Sequence, residues 1–275
     1  MRAMSGTRSA ALVWTIAVVV TLASAVWQRR SGPSYPVRGE AGLGAATISY
    51  RLLRSWVTGS DQPVRVAVAD PEVTGAVRWR RYPTREEWSV LPMRREGGEL
   101  VAGLPAQPPA GKLEYQVRLA RGGDGVVLPP APAVTRFRGA VSAPVLAVHI
   151  LTMFLGMLFS NAAGASAVLA RAQARRQAQV ALGLLVVGGL ALGPIVQKHA
   201  FGAYWTGFPF GFDLTDNKTA IAVAVWLVAV IAGRGARPAR ALVLAAALVT
   251  LTVFAIPHSL FGSEIRWEET PAGGR

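Results

Sequence analysis

The sequence predicts an α+β membrane protein with an N-terminal transmembrane helix, an extracytoplasmic β-sandwich and a C-terminal four-helix transmembrane bundle. Of its 275 residues, 52% are apolar and 16% are charged, and the apolar residues are concentrated in runs of membrane-spanning length. Short β-rich pieces separated by turn residues fill the region between the first two runs. Three domains are therefore expected: an N-terminal anchor or signal at 1–30, the sandwich at 31–138 and the bundle at 139–275.

The composition excludes several classes of site. The chain has no cysteine, which excludes disulfides, cysteine-ligated zinc, iron–sulfur clusters, c-type haem attachment and a thiol nucleophile. The formal charge is +14, but the basic residues form no single stripe, because 17 of the 29 lie between Arg29 and Arg138 together with 10 acidic residues. This mixed distribution predicts no nucleic-acid partner.

The first apolar run extends from Ser9 to Trp27, after a short N-terminus that carries Arg2 and Arg8. It contains the triplet Ala23-Ser24-Ala25, a small-residue pattern typical of signal-peptide cleavage sites. The run is also long enough to span a bilayer. It is therefore either a cleaved signal or a retained anchor, of which the anchor is favoured, and either outcome exports the segment that follows.

Four further apolar runs predict the bundle: Ala140–Ala163, Val180–Val196, Thr219–Gly233 and Ala241–Phe261. Two clusters without acidic residues lie between runs and consist of Arg171, Arg175, Arg176, Arg234, Arg237 and Arg240. Short arginine-rich loops stay in the cytoplasm under the positive-inside rule. The sequence thus predicts a multi-pass protein of the cytoplasmic (inner) membrane, with the lipid bilayer as a partner. The sandwich, the 198–218 connection and the C-terminus are expected to be extracytoplasmic.

The β-rich pieces are expected to form the sandwich. In Lys112–Leu119 the apolar side chains alternate with polar ones, as a half-buried antiparallel strand requires. Several such pieces over about a hundred residues are typical of a sandwich. The candidate strands are Ala45–Leu53, Val64–Val68, Ala76–Arg81, Trp88–Met93, Leu100–Leu104, Leu113–Leu119, Val126–Leu128 and Val134–Arg138.

The segment from Gly98 to Tyr115, GELVAGLPAQPPAGKLEY, has a strand, a proline-rich turn and a second strand. It resembles the corresponding part of bacterial immunoglobulin-like and fibronectin type III-like modules. The resemblance implies a fold only, because such modules serve as spacers, docking surfaces or sugar-binding platforms. An aromatic ligand face is one interpretation of the aromatic residues of this region, and core packing is the favoured one; they are Trp56, Trp79, Tyr82 and Trp88.

The 198–218 connection carries a dense group of aromatic residues, with glycines and Pro209 that disfavour regular structure. Tryptophan and tyrosine favour the headgroup level of a bilayer, so we expect an interface there, formed by Tyr204, Trp205, Phe208, Phe210 and Phe212. Either Thr215 or Asp216 is expected to cap the following helix.

Two stretches, AFGAYWTGFPFGFDLTDNKT and IPHSLFGSE, occur in this order in the C-terminal half. Their pairing resembles an uncharacterised family of bacterial multi-span integral membrane proteins, with an exported immunoglobulin/fibronectin type III-like domain. This resemblance implies no activity. The aromatic stretch is more loosely similar to the tryptophan-rich external loop of cytochrome c assembly proteins, which handle haem, although it contains one tryptophan rather than a cluster.

The histidines are the candidate ligands. An ionisable residue within a span is a functional hypothesis by default, and His149 lies within the second run while His258 lies near the end of the fifth. Imidazoles on facing helices can hold haem b. Alternatively, a divalent metal could bind at the outer surface to His258, Glu264, Asp213, Asp216 and His199. The third interpretation is structural: a neutral His149 that donates one hydrogen bond to a neighbouring carbonyl, and His258 that reaches water.

Enzyme motifs are missing from the sequence, which contains no P-loop, no GxSxG elbow and no GxGxxG after a strand. The favoured function is a non-enzymatic protein of the cell envelope, a scaffold or accessory subunit that binds a membrane or envelope protein through its exported sandwich. The alternative is a redox or metal-binding membrane subunit that uses the outer histidines. Glycan binding by the sandwich is a third possibility.

Overall fold

A computed structural model of the chain describes residues 6–234, 239–257, 265 and 267. The chain divides into two compact units, a β unit built mainly from Ser34–Ala140 and a helical unit built from the helices before and after that segment. The α+β prediction is confirmed, because an N-terminal apolar helix, central β-sheets and further long apolar helices follow one another along the chain.

Apolar helices make up the helical unit. Four of the described helices are long and apolar enough to cross a membrane, and they comprise Thr7–Ser31, Ala143–Val168, Ala174–Phe201 and Leu214–Ala232. The third is continuous but changes its winding, because a π-helical segment interrupts the α-helix. The elements are α1 (Gly6–Ser31), α2 (Ala143–Val168), α3 (Ala174–Leu185), the π-helical segment Val186–Leu192, α4 (Gly193–Phe201), α5 (Leu214–Ala232) and α6 (Arg240–Ala255).

The last helix is shorter than the sequence indicated. The fifth run was expected to continue to Phe261, but α6 ends at Ala255 and comprises 16 residues, about 24 Å at the usual rise per residue. Pro257 explains the end, since proline disfavours helical geometry at the residue before it. Residues 258–264, and with them His258 and Glu264, lie outside the described residues.

Helix α1 packs as a full member of the helical unit. Val13 and Ala17 are buried against Ala162 of α2. On the same helix pair, the Asn161 amide donates a 2.9 Å hydrogen bond to the Thr21 hydroxyl, and both side chains are buried. A polar pair of this kind stabilises helix association in lipid.

Small residues allow the other helices to approach closely. A Cβ atom at Gly164 of α2 would lie 2.7 Å from the Ala247 Cβ of α6, so only glycine fits at this crossing. Three residues further along α6, the Trp226 indole of α5 donates a 2.9 Å hydrogen bond to the buried Thr250 hydroxyl. The helical unit is therefore held by both close packing and interhelical hydrogen bonds.

The described part of the β unit contains three sheets. A hairpin of β1 and β2 turns at Gly44, whose φ of +59° suits the first central position of a two-residue turn. A five-stranded sheet has the order β3-β10-β9-β5-β6, and a three-stranded sheet has the order β4-β8-β7. The strands are β1 (Val37–Leu43), β2 (Ala46–Leu52), β3 (Ser55–Val57), β4 (Gln62–Ala67), β5 (Thr74–Arg81), β6 (Ser89–Pro92), β7 (Arg94–Glu96), β8 (Glu99–Leu104), β9 (Lys112–Arg121) and β10 (Asp124–Arg138).

One apolar core serves all three sheets. Its buried members include Val64 and Leu100 from the three-stranded sheet, Val77 and Val117 from the five-stranded sheet, and Ile48 from the hairpin. Trp56 and Trp79 pack against the same core, as the packing interpretation of these residues expected.

The predicted strands correspond to structural ones, with two differences. The pieces Val126–Leu128 and Val134–Arg138 belong to the single strand β10, whose pairing with β9 shifts between Leu128 and Ala133. Three strands were not predicted: β1 contains two glycines, and β3 and β7 have three residues each. Strands this short give no alternation to recognise.

Candidate functional site

Among the residues that the structure describes, the most exposed aromatic side chains of the helical unit lie between α4 and α5. We call residues 203–213 the aromatic loop. Phe208, Phe210 and Phe212 are 74%, 83% and 90% exposed, and Tyr204 is also exposed. Trp205 is half-buried, and its indole donates a 3.0 Å hydrogen bond to the Phe208 carbonyl. Of the five residues predicted as an interface, four therefore present their rings outward and one fastens the loop.

A buried carboxylate of α5 holds the loop. Asp216 is 5% exposed, and its Oδ2 accepts hydrogen bonds from the backbone N–H groups of Thr206 at 2.6 Å and Gly207 at 2.9 Å. The same oxygen accepts from the Thr206 hydroxyl at 3.3 Å and from Gln197 Nε2 of α4 at 3.1 Å. Hydrogen bonds to an ionised acceptor are stronger than neutral ones, so Asp216 ties the loop to both flanking helices.

The next residue adds a second attachment. Asn217 Oδ1 accepts a 2.8 Å hydrogen bond from the backbone N–H of Phe208. A Cβ atom at Gly207 would lie 2.6 Å from the Asp216 Cβ, which makes glycine necessary where the loop crosses the start of α5. The loop is closed by backbone hydrogen bonds from Phe210 and Gly211 to the Gly207 carbonyl, each 2.9 Å long. We call this arrangement around Asp216 and Asn217 the loop cradle.

The helix cap differs from the expected one. Neither Thr215 nor Asp216 caps α5; Asp213 does, because its Oδ1 accepts from the N–H groups of Thr215 at 2.8 Å and Asp216 at 3.4 Å. A side-chain oxygen one residue before the first helical turn is the geometry that satisfies these N–H groups. Asp216 lies one turn further along the chain and is free to bind the loop instead.

A buried lysine, which sequence reasoning missed, follows the cradle. Lys218 is 2% exposed, and its ammonium donates hydrogen bonds to the carbonyls of Ile256 at 2.6 Å and Pro257 at 3.4 Å. These carbonyls follow the last turn of α6, where no helical N–H groups remain to bind them. Asp213 attracts the same ammonium. The available signal was a lysine at the fifth position of α5, directly before the apolar part of that helix.

His149 of α2 contacts the π-helical segment. Its Nδ1 lies 2.9 Å from the Gly188 carbonyl oxygen, and because a carbonyl only accepts, Nδ1 carries a proton; in the neutral imidazole, Nε2 then keeps its lone pair. The Gly188 carbonyl also accepts from the Gly193 N–H, the longer spacing of a π-helix. The structure therefore contains the hydrogen bond of the structural interpretation, and it leaves Nε2 chemically able to bind a ligand.

The predicted metal ligands are only partly described. Within residues 6–234 and 239–257, no group of three or more histidine, aspartate or glutamate side chains is arranged to hold a metal ion. The Asp213 carboxylate caps α5 and the Asp216 carboxylate holds the aromatic loop. His199 lies in the last turn of α4. Because His258 and Glu264 lie outside the described residues, the haem and metal interpretations stay predictions.

Comparisons with known proteins identify no family for this chain. No protein-family model, curated protein or solved structure matches the chain. The resemblances drawn from sequence therefore remain predictions. The helices themselves indicate a multi-pass membrane protein in contact with lipid, combined with a β-sheet region.

Proposed function

We propose that this protein is a non-enzymatic, multi-pass protein of the cell envelope that acts as a scaffold or accessory subunit. It binds a membrane or envelope protein through the aromatic loop and its exported β unit. The observation that carries the proposal is the contrast between a loop backbone fastened by Asp216 and Asn217 and three phenylalanine rings left exposed on it.

Exposed aromatic rings on a fixed backbone suit recognition. Clustered exposed apolar groups mark interaction surfaces, and aromatic residues dominate the energetics of interfaces. The hydrogen bonds of the loop cradle hold the loop before a partner arrives, which reduces the entropy lost on binding. Since α4 and α5 belong to membrane-length helices, the loop lies at a bilayer boundary, where a membrane-protein partner is accessible.

The arginines support the proposed orientation. Arg171, Arg175 and Arg176 lie at the turn from α2 to α3, and Arg234 and Arg240 flank the connection from α5 to α6. Successive helices run in opposite directions, so both connections lie at one end of the helical unit, where the Arg171 guanidinium also donates to the Ser9 hydroxyl of α1. The positive-inside rule assigns that end to the cytoplasm. The aromatic loop and the β unit then share the extracytoplasmic compartment of the inner membrane.

The sheet orders support an immunoglobulin-like sandwich for the β unit. A five-stranded sheet that ends in a parallel β3–β10 pair, and a three-stranded sheet of β4, β8 and β7, share one core. Two sheets with a common core between them are the arrangement of such modules. With this assignment, the β unit provides a second binding surface for the partner.

Site-specific photocrosslinking in intact membranes tests the proposal. A photoreactive residue at Phe210 should yield one discrete protein adduct, and the same residue at Phe154, which is exposed on the membrane-length helix α2, should yield lipid adducts only. Asp216→Leu should abolish the Phe210 adduct, because the loop loses its attachment. Lipid adducts alone at Phe210, or a protein adduct unaffected by Asp216→Leu, would contradict the proposal.

His149 supports one alternative, a haem- or metal-binding redox subunit. The protonated Nδ1 leaves the Nε2 lone pair available, and π-helical segments are frequent at functional sites. The purified protein would then show a haem absorption band or bound metal that His149→Ala removes. A colourless, metal-free preparation would exclude this alternative.

A further inference from the structure

Three arginines of the β unit share one face of the five-stranded sheet. Arg78 and Arg80 lie on β5, where Arg78 pairs with Gln116 of β9 and Arg80 pairs with Glu114. Arg118 follows two residues after Gln116. Side chains two residues apart on a strand point to the same side, so the three guanidinium groups lie on the side opposite the core residues of these strands. We call this surface the arginine face.

Two of the guanidinium groups are held in position. The Arg78 Nε donates a 2.8 Å hydrogen bond to Gln116 Oε1, and its Nη2 donates to the same oxygen. The Gln116 amide is itself fixed by hydrogen bonds to the carbonyls of Pro129 at 2.7 Å and Pro130 at 2.9 Å. Arg80 Nε donates to the Glu114 carboxylate. The guanidinium groups therefore need little reordering to bind a ligand.

An indole ring lies beside them. The Trp88 ring centre is 4.8 Å from the Arg78 guanidinium carbon and 4.5 Å from that of Arg80, within the range of cation–π attraction. Two exposed valines flank the same face, since Val90 pairs with Arg78 and Val127 pairs with Arg118 in the register of the sheet. The arginine face thus combines positive charge with flat apolar surface.

The charge of this face is not balanced. Glu114 neutralises Arg80, but Gln116 is uncharged, and Arg118 forms no hydrogen bond or ion pair with any residue that the structure describes. Burial lowers the pKa of Arg78, the neighbouring Arg118 and Arg80 lower it further, and Glu114 raises it. Arg78 and Arg118 are close together, and neither forms an ion pair with a carboxylate that the structure describes, which favours an anionic ligand.

We propose that the arginine face binds an anionic polysaccharide, with Arg78 and Arg118 bound to its acidic groups and Trp88 stacked against a sugar ring. The guanidinium groups can bind carboxylate and phosphate-type oxygens alike, so the polymer is defined by its anionic groups. The choice of a polysaccharide rests on the proposed extracytoplasmic location of the β unit, where such polymers occur. Binding at this face does not depend on the aromatic loop.

Binding assays on the full-length protein in detergent test the proposal with polygalacturonate (carboxylate), dextran sulfate (sulfate), neutral dextran and single-stranded DNA. Arg78→Gln/Arg118→Gln should weaken binding of the acidic polymers by about tenfold or more, through loss of charge-assisted hydrogen bonds. The control Arg65→Gln/Arg94→Gln removes the same charge from the three-stranded sheet and should change binding less than about twofold, because those arginines belong to a different sheet and are paired with Glu96 and Glu99. Trp88→Leu should weaken binding by roughly threefold or more through loss of stacking.

Several results would overturn the proposal. Equal losses of affinity in the two double variants would mean that the polymers bind through the net positive charge of the protein and not at the arginine face. Neutral dextran binding as tightly as the acidic polymers, tighter binding of single-stranded DNA, or no binding at all would also contradict it. If the double variant fails to fold, Arg118→Gln alone provides the test, because that exposed side chain has no described partner to lose. The photocrosslinking result at Phe210 is independent of all these outcomes.

Discussion

At the scale of single residues, Asp216 determines whether the aromatic loop has one conformation. Replacing it with leucine leaves the N–H groups of Thr206 and Gly207 without their acceptor, at a free-energy penalty of about 1–3 kcal/mol. Hydrogen exchange of these two amides should then accelerate by roughly tenfold or more. Asp216→Asn keeps one acceptor oxygen and should show a smaller change. Unchanged exchange in Asp216→Leu would show that the carboxylate does not hold the loop.

Lys218 has a structural role that can be measured separately. Lys218→Met removes the donor to the carbonyls of Ile256 and Pro257, and we expect it to lower the free energy of unfolding by about 2 kcal/mol, the value of hydrogen bonds to a charged group. The matched control is Lys198→Met at an exposed position of α4, where the ammonium lies 5.4 Å from the Tyr204 ring centre; it should lower the free energy of unfolding by less than about 1 kcal/mol, the value of an exposed cation–π contact. Thermal unfolding in detergent compares the two, and equal melting temperatures would refute this role.

Because of Tyr115, the stability of the β unit should vary with pH in the alkaline range. Burial raises the pKa of Tyr115, although Gln62 and Arg54 oppose this shift, and its hydroxyl donates a 2.7 Å hydrogen bond to the Leu53 carbonyl. The unfolded chain loses this proton near pH 10, while the folded chain retains it. The stabilisation that Tyr115 gives the folded state is therefore complete below about pH 10. As the pH rises further, the free energy of unfolding falls by up to about 1.4 kcal/mol per pH unit.

Chemical unfolding at pH 8 and pH 11, followed by tryptophan fluorescence, checks this dependence. Tyr115→Phe should be less stable at pH 8 and should lose less stability between the two pH values than the unsubstituted protein. Parallel losses in the two proteins would mean that Tyr115 retains an ordinary pKa in the folded state.

The sequence predicted the exposed rings of the aromatic loop but not the hydrogen bonds that hold its backbone. Dense aromatic residues with glycine and proline predicted a surface loop, and the exposure of Phe208, Phe210 and Phe212 agrees with it. The bond from Gln197 to Asp216 depends on how the loop closes, and no periodic pattern encodes that closure. Lys218 was missed for the same reason, because its partners are backbone carbonyls 38 and 39 residues away.

At the scale of elements, α1 is expected to remain in the mature protein. It contributes Val13, Ala17 and Thr21 to buried contacts with α2, and its Trp27 and Gln28 side chains donate to carbonyls at the end of α6. Cleavage after Ala25 would remove most of these contacts. Intact-mass measurement of the purified protein should find residues 6–31 present, and a chain beginning at Val26 would contradict this prediction.

Secondary structure was predictable where a pattern extends over several residues. The alternation in β9 and the long apolar runs of α2 and α5 were recognisable. The π-helical segment was not predictable, because its glycines are required by contacts with other helices. Cβ atoms at Gly188 and Gly189 would lie 2.6 Å from the Thr152 hydroxyl and 2.5 Å from the Thr219 methyl group. Tertiary contacts of this kind leave no periodic signal in the sequence.

At the scale of the whole molecule, the proposed function depends on sidedness. In the proposed orientation, the arginine-rich connections face the cytoplasm, and the aromatic loop and the β unit are both on the other side of the membrane. The absence of cysteine from the chain makes this unusually easy to test, because a single introduced cysteine is the only thiol in the protein.

The most direct measurement is labelling of intact cells with a membrane-impermeant maleimide, using Gly123→Cys in the β unit, Phe210→Cys in the aromatic loop and Arg175→Cys at the start of α3. All three positions are exposed in the structure. We expect Gly123→Cys and Phe210→Cys to be labelled in intact cells and Arg175→Cys to be labelled only after permeabilisation. Labelling of Gly123→Cys and Phe210→Cys from opposite sides, or of Arg175→Cys in intact cells, would contradict the proposed orientation and the function that depends on it.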